Sequence, residues 1–114
     1  MGEKKGMIVK RIVELAEFRA DGMGKSTVAR GEFVYAGLNA FEPGQEHRAH
    51  AHEGQDKLYL VLEGTGEVVV GEERAEVTAG DLALAPAGVL HSMKNTGAGR
   101  LVVLVVLAPP PRGK

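Results

Sequence analysis

Three of the four histidines, His47, His50 and His52, fall within six consecutive residues. Neutral imidazole is the commonest protein ligand for transition metals, so this cluster is where chemistry is first to be sought. On an extended strand, side chains two apart share a face, so His50 and His52 are expected to point the same way. Their roots would lie about 7 Å apart, close enough for both rings to reach one ion through nitrogen–metal bonds of about 2.0–2.1 Å. His47 has the opposite parity on an unbroken strand and is expected to face outward. A bare H-x-H also occurs on plain solvated strands, so the pair needs support from the rest of the chain. The absence of cysteine removes disulfides, thiolate nucleophiles and cysteine-held zinc or iron–sulfur sites. Any metal must therefore be held by histidine, carboxylate or water.

The elements that would position these side chains are short strands. A helical turn is expected within residues 12–18, where Leu15 and Phe18 share a face. After it, apolar segments recur between glycines at residues 32–41, 57–62, 67–70, 74–78, 82–85, 89–93 and 101–107. Close-set strands with turn residues between them predict an all-β sandwich or barrel. Segment 32–41 sets Phe33 and Tyr35 against Val34, Ala36 and Leu38, and segment 57–62 sets Tyr59 and Val61 against three leucines. Strands apolar on both faces have a core on one side and a second layer or subunit on the other. Pro43-Gly44 and the run from Val70 to Arg74 predict turns. Gly22-Met23-Gly24-Lys25-Ser26-Thr27 ends like a phosphate-binding loop, but that motif needs glycine where Arg19 stands. The stretch is expected to be a glycine-rich surface turn leading into a strand.

Two spaced patterns overlie this framework. Gly44, five residues, His50-Ala51-His52, then Lys57 and six residues to Gly64 make the first. Gly80, five residues, Pro86-Ala87-Gly88, two residues, His91, three residues and Asn95 make the second. In this order and separation they resemble the paired motifs of the cupins, over residues 44–95. The resemblance implies a cupin-type antiparallel β-barrel, the double-stranded β-helix or jelly roll, often dimeric, with a metal inside. In that family the ligands are two histidines and a glutamate of the first motif and one histidine of the second. Carried over, His50, His52 and His91 are the expected metal ligands. Such a site suits iron, manganese, nickel, zinc or copper and leaves positions for water or substrate.

Lys57 stands where the resemblance implies the glutamate. A protonated lysine offers no lone pair and repels a cation. Three arrangements accommodate it. A three-histidine site can form with Lys57 turned aside, and this is the favoured expectation. Asp56 can reach the metal as a fourth ligand if residues 53–55 shift the strand register. Or the metal is absent, and Lys57 with the histidines binds an anionic organic ligand. A strand lysine can also simply snorkel to the surface. Tyr59 and Val61 share the parity of Lys57, so they should line the same pocket, Tyr59 as core or as a donor to substrate. Lys57 and Tyr59 are the catalytic candidates. Asn95 is expected to bond backbone at the end of its strand.

Fourteen basic against fifteen acidic residues, a net charge of -1, give no basic face for nucleic acid. The longest apolar run, residues 101–108, is far short of the about 20 a membrane helix needs, and the charged start lacks an apolar stretch suited to secretion. A cytoplasmic protein without nucleic-acid or membrane partners is expected. Its 114 residues fit one domain, with a lead-in at 1–25, a barrel at 26–108 and a flexible proline-rich tail at 109–114. The apolar band at 101–107 would be a liability in a monomer, so a homodimer is expected. Three functions fit. One is a metal-dependent enzyme of dioxygenase or isomerase type acting on a small organic acid or carbonyl substrate. The others are a non-catalytic module that binds or senses a small molecule, and a structural, metal-free barrel.

Overall fold

Turn residues at short intervals divide the described residues into nine antiparallel strands. The computed structural model describes residues 5–112, and the strands in order are β1 (Gly24–Arg30), β2 (Tyr35–Phe41), β3 (Glu46–His50), β4 (Asp56–Glu63), β5 (Thr65–Val70), β6 (Glu73–Thr78), β7 (Leu82–Ala85), β8 (His91–Asn95) and β9 (Leu101–Ala108). One sheet has the order β1-β2-β9-β4-β7 and the other β3-β8-β5-β6. The two sheets face each other as an all-β antiparallel barrel, the expected class. A 3-10 turn at Ile12–Leu15 falls within the stretch expected to be helical. Among the described residues, no helix is long and apolar enough to cross a membrane.

β9, with the sequence LVVLVVLA, is bonded on both sides, by β2 and by β4. Its β-branched residues suit a central strand covered on both faces. Val103, Val105 and Leu107 face inward beside Tyr59, Val61 and Phe41, and meet Val68, Val77 and Met93 of the second sheet. Each of the larger side chains contributes about 1.5–3 kcal/mol by burial, so this shared core holds the two sheets at a fixed separation. The alternate residues of the first sheet, among them Leu58, Leu60, Leu104 and Val106, form an apolar outer face. On the edge strand β7, Leu82 and Leu84 are 59% and 51% exposed.

Several boundaries depart from the sequence reading. The glycine-rich stretch is not a surface turn throughout, because β1 already begins at Gly24. That glycine is buried, and a Cβ there would collide with the backbone carbonyl of Glu17. Close approach of the lead-in, rather than turn flexibility, is what the glycine serves. Segment 32–41 starts as a strand only at Tyr35; Phe33 and Val34 lie exposed in the β1–β2 connection, closed by Gly31 N–H to the Val34 carbonyl at 2.7 Å. β3 carries no apolar alternation and exists through its pairing with β8. At the far end, Gln55 and Arg30 donate to the carbonyls of Pro109 and Pro111, at 2.9 and 2.7 Å. The rest of the expected tail, Gly113 and Lys114, lies outside the described residues.

Asn95 closes β8 as expected, by bonding backbone. It is 1% exposed, donates to the carbonyls of Phe41 and Gly99, and accepts from Gly97 N–H. Asn95→Ala strands those buried groups and should cost about 2 kcal/mol. Urea unfolding would read that loss, with the protein's metal content unchanged.

Candidate metal centre

β3 and β8 lie side by side, with His50 directly opposite His91 and His47 opposite Met93. Three residues of β3 thus span what two residues of β8 span, which is a β-bulge between His47 and His50. The extra residue reverses the parity on which the outward placement of His47 depends. His47 therefore turns inward, and its ring centroid lies 4.2 Å from that of His50. The expectation that it faces out fails because the strand is not unbroken.

Two of the rings are fixed in one tautomer by their own backbone. His91 Nδ1 lies 3.0 Å from the Val89 carbonyl, and His50 Nδ1 lies 2.7 Å from the Arg48 carbonyl. A carbonyl only accepts, so Nδ1 carries the proton in each neutral ring and Nε2 holds a lone pair. Both Nε2 atoms are buried without a hydrogen-bond partner. His52 completes the group from the loop beyond β3, its centroid 4.8 Å from His50 and 5.5 Å from His91. One ligand atom from each of the three lies within 4.8 Å of the others. Three neutral nitrogens converging on one point, two of them otherwise unsatisfied, fit a divalent transition metal.

Burial favours the neutral form of His91, His47 and His52. Burial, opposed by the Val89 carbonyl, brings His91 down to about 4. Burial, then Lys57, brings His47 down to about 3. His52 is also lowered, by burial first and by His50 next.

The loop carrying His52 is clamped to the turn before His91. In that turn Val89 N–H bonds the Pro86 carbonyl at 3.0 Å, and Gly88 has φ +81°, a value glycine adopts without strain. Gly88 N–H then donates to the His52 carbonyl and Ala87 N–H to Asp56 Oδ1, both at 2.9 Å. Asp56 is exposed and belongs to this clamp; it is not one of the converging ligand residues. Asp56→Ala should therefore lower metal affinity by about tenfold without changing stoichiometry, as loss of an outer support does. Titration with a competing chelator would measure it.

Lys57 neither snorkels nor reaches solvent, being 3% exposed. Its neighbours Tyr59 and Val61 share its inward parity, as expected, but they do not line its pocket: both are packed in the core between the sheets, and neither borders the cavity that Lys57 lines. The Lys57 ammonium lies 4.7 Å from the Tyr59 ring centroid, and that ring lies 6.0 Å from His91. Burial, then Lys25, lowers Lys57 to about 8, while burial pushes the Tyr59 hydroxyl upward. The hydroxyl itself is buried and without a partner. Lys57, His47, His50 and His52 all border one cavity of about 600 Å³, and His91 lies deeper, 2% exposed.

A family model described as the Cupin domain matches residues 37–107. The chain belongs to the cupin family. Among solved structures, this cupin superposes on TT1209 of Thermus thermophilus with a TM-score of 0.87 and 42% identity, over 92% of this chain and 100% of that one. It is 36% identical over 74 residues to the uncharacterized protein SCO3923 of Streptomyces coelicolor, 65% of this chain and 69% of that one. It is 34% identical over 65 residues to an oxalate-binding protein of Thermotoga maritima, 57% of this chain and 54% of that protein. The chain thus spans little more than half the length of the oxalate-binding relative.

As a cupin it carries the expected histidines, brought together at the barrel mouth. What the sequence reading missed around them is basic. Lys25 and Arg30 of β1 border the same cavity. Only the pairing of β1 with β2 could have revealed this, because the two residues lie far from either motif in sequence.

Proposed function

We propose that this cupin binds one divalent transition metal through Nε2 of His50 and His91 and a ring nitrogen of His52, beside a small organic acid or carbonyl compound in the cavity. The observation that carries this reading is the pair of buried Nε2 atoms, held in the ligating tautomer and lacking any protein partner. Iron, manganese, nickel, zinc and copper all suit the donor set. A bound divalent ion supplies Lewis acidity at a carbonyl or carboxylate oxygen. Lys57, which borders the cavity, would balance the charge of such a ligand. A reaction of dioxygenase or isomerase type follows from that equipment. Similarity to an oxalate-binding protein supports a small acid as the occupant.

Elemental analysis of protein purified without a histidine tag should find about one metal per chain; less than about 0.1, unrestored by added Fe(II), Mn, Ni or Zn, defeats the reading. Oxygen uptake and isomer formation across diketones, thiols, phenols and 2-oxo acids test the enzyme. A second reading, a binding or sensing module without turnover, is favoured by Lys57 in the glutamate's place, which leaves no carboxylate at the metal. Saturable binding with silence across the panel would select it.

We further infer a cytoplasmic homodimer without nucleic-acid or membrane partners. The apolar outer face and the exposed leucines of β7 support the second copy. Light scattering should give twice the chain mass at micromolar concentration. Leu84→Glu, at an exposed position, should give the monomer mass with the fold retained. A wild-type monomer mass would remove the proposal.

A further inference from the structure

The cavity beside the histidines is lined by three cationic side chains, Lys25, Arg30 and Lys57, and by no carboxylate. The strand registers place all three on the inner face of the five-stranded sheet. Arg30 pairs with Tyr35, Tyr35 with Leu107, and Leu107 with Lys57, so Arg30 and Lys57 stand in one row. Lys25 pairs with Asn39, further along the same face. Arg30 is steadied by its bond to the Pro111 carbonyl, which occupies one of its five donors and leaves the others available. Lys57 is the informative member. It is almost wholly buried and makes no ion pair among the described residues. Contact with the Tyr59 ring offsets only part of the cost of such burial. A buried charge without a counter-charge normally marks a missing partner.

Imidazole ligands bring no negative charge, so a metal at their centre adds positive charge to a cavity that already has an excess of it. A single carboxylate at the metal would leave the opposite wall uncompensated. Val105 and Leu107 of the same sheet, with Leu38 and Pro111, give the lining an apolar part beside the polar Ser26, Thr27, Tyr35 and Asn39. We propose that the occupant is a small dicarboxylate with a short apolar middle, one end at the histidine centre and the other against Lys25, Arg30 and Lys57, so that this basic wall selects dianions over monoanions of equal length. This rests on the metal reading above for the first end only; the second end is a separate anion subsite built by β1 and β4.

Calorimetric titration with 2-oxoglutarate and 2-oxopentanoate, which differ only in the terminal carboxylate, tests it. Manganese-loaded wild-type protein should bind the dianion at least about tenfold more tightly. Lys25→Gln, at an exposed position, should reduce that ratio, and Lys25→Gln with Lys57→Met, which leaves Arg30 alone on the wall, should bring it to about threefold or less. Retention of the circular-dichroism spectrum confirms folding of both variants. Equal binding of the pair by wild-type protein, absence of binding by both at millimolar concentration, or a ratio that survives the double substitution overturns the proposal. The same titration after EDTA treatment separates the two readings. A ratio that persists in protein unable to take up metal retains the wall and discards the metal. Metal uptake with a ratio of one does the reverse.

Discussion

His91→Ala is expected to abolish tight metal binding while the barrel stays folded. His91 sits at the centre of the donor set, 4.2 Å from His50 between ring centroids, and its Nε2 has no other partner. Four-ligand structural zinc sites yield about 10–16 kcal/mol, or about 3 kcal/mol per ligand, so loss of one donor weakens binding by about a hundredfold or more. Competition against a chelator of known affinity reads this directly. The heat-unfolding curve gives an independent reading, because added metal raises the midpoint of wild-type protein and leaves that of the variant unmoved. His47→Ala is the control. Its ring touches His50 but lies outside the converging group, so its loss should leave the metal stoichiometry intact. Proton competition adds a signature. An ordinary histidine begins to lose metal near its pKa of about 6.5, whereas His91, held at about 4 by burial, keeps its lone pair well below that. A His91 ring that takes up its proton at or above pH 6.5 in the metal-free protein, read by NMR, would contradict its burial.

The parts of this site legible in the sequence are those fixed by turn chemistry. Glycine and proline at set intervals specify where strands stop, and the spacing of His50 and His52 from Gly44 and of His91 from Pro86-Ala87-Gly88 follows from those turns. The fold was legible for the same reason, through β4, β5, β6, β7 and β9, whose apolar runs mark them. β3 was not, because EHRAH has no apolar alternation and is a strand only by pairing. The bulge within it left no mark in the residue types, and that one inserted residue decides which way His47 faces. The role of Asp56 was equally hidden, since it depends on where a turn thirty-one residues away comes to rest. Lys25 and Arg30 joined the site through strand pairing, which local pattern does not encode. Lys57 was visible as a departure from the cupin pattern, but its burial was not, because a lysine on a strand ordinarily carries its charge to water.

Lys57→Met stabilises the metal-free protein by about 3 kcal/mol at neutral pH, the second large effect. That size follows from linkage: burial brings the amine from 10.5 to about 8, and each pKa unit is worth about 1.4 kcal/mol. Below about pH 8 both folded and unfolded chains hold the proton, and the folded state bears the whole penalty of the buried ammonium. Between pH 8 and 10.5 the unfolded chain holds it alone, so wild-type stability rises with pH through that window. Tyr59 limits the rise. Its folded pKa lies above the ordinary 10.0, so beyond that pH the unfolded chain loses a proton that the folded one keeps, and stability turns down. Urea unfolding in EDTA at steps from about pH 7 to 10 should therefore show wild-type stability climbing towards that of Lys57→Met, which has no amine to titrate. Parallel curves for the two proteins would mean that Lys57 is solvated or paired. Methionine matches lysine closely in length and fills apolar space without a charge, so the gain is not expected to be lost to a cavity. The empty barrel thus bears the cost of a buried charge at Lys57. On the dicarboxylate proposal, that charge is compensated when an anion enters the cavity. The substitution that most improves the empty barrel should thus be the one that most weakens its hold on a dicarboxylate.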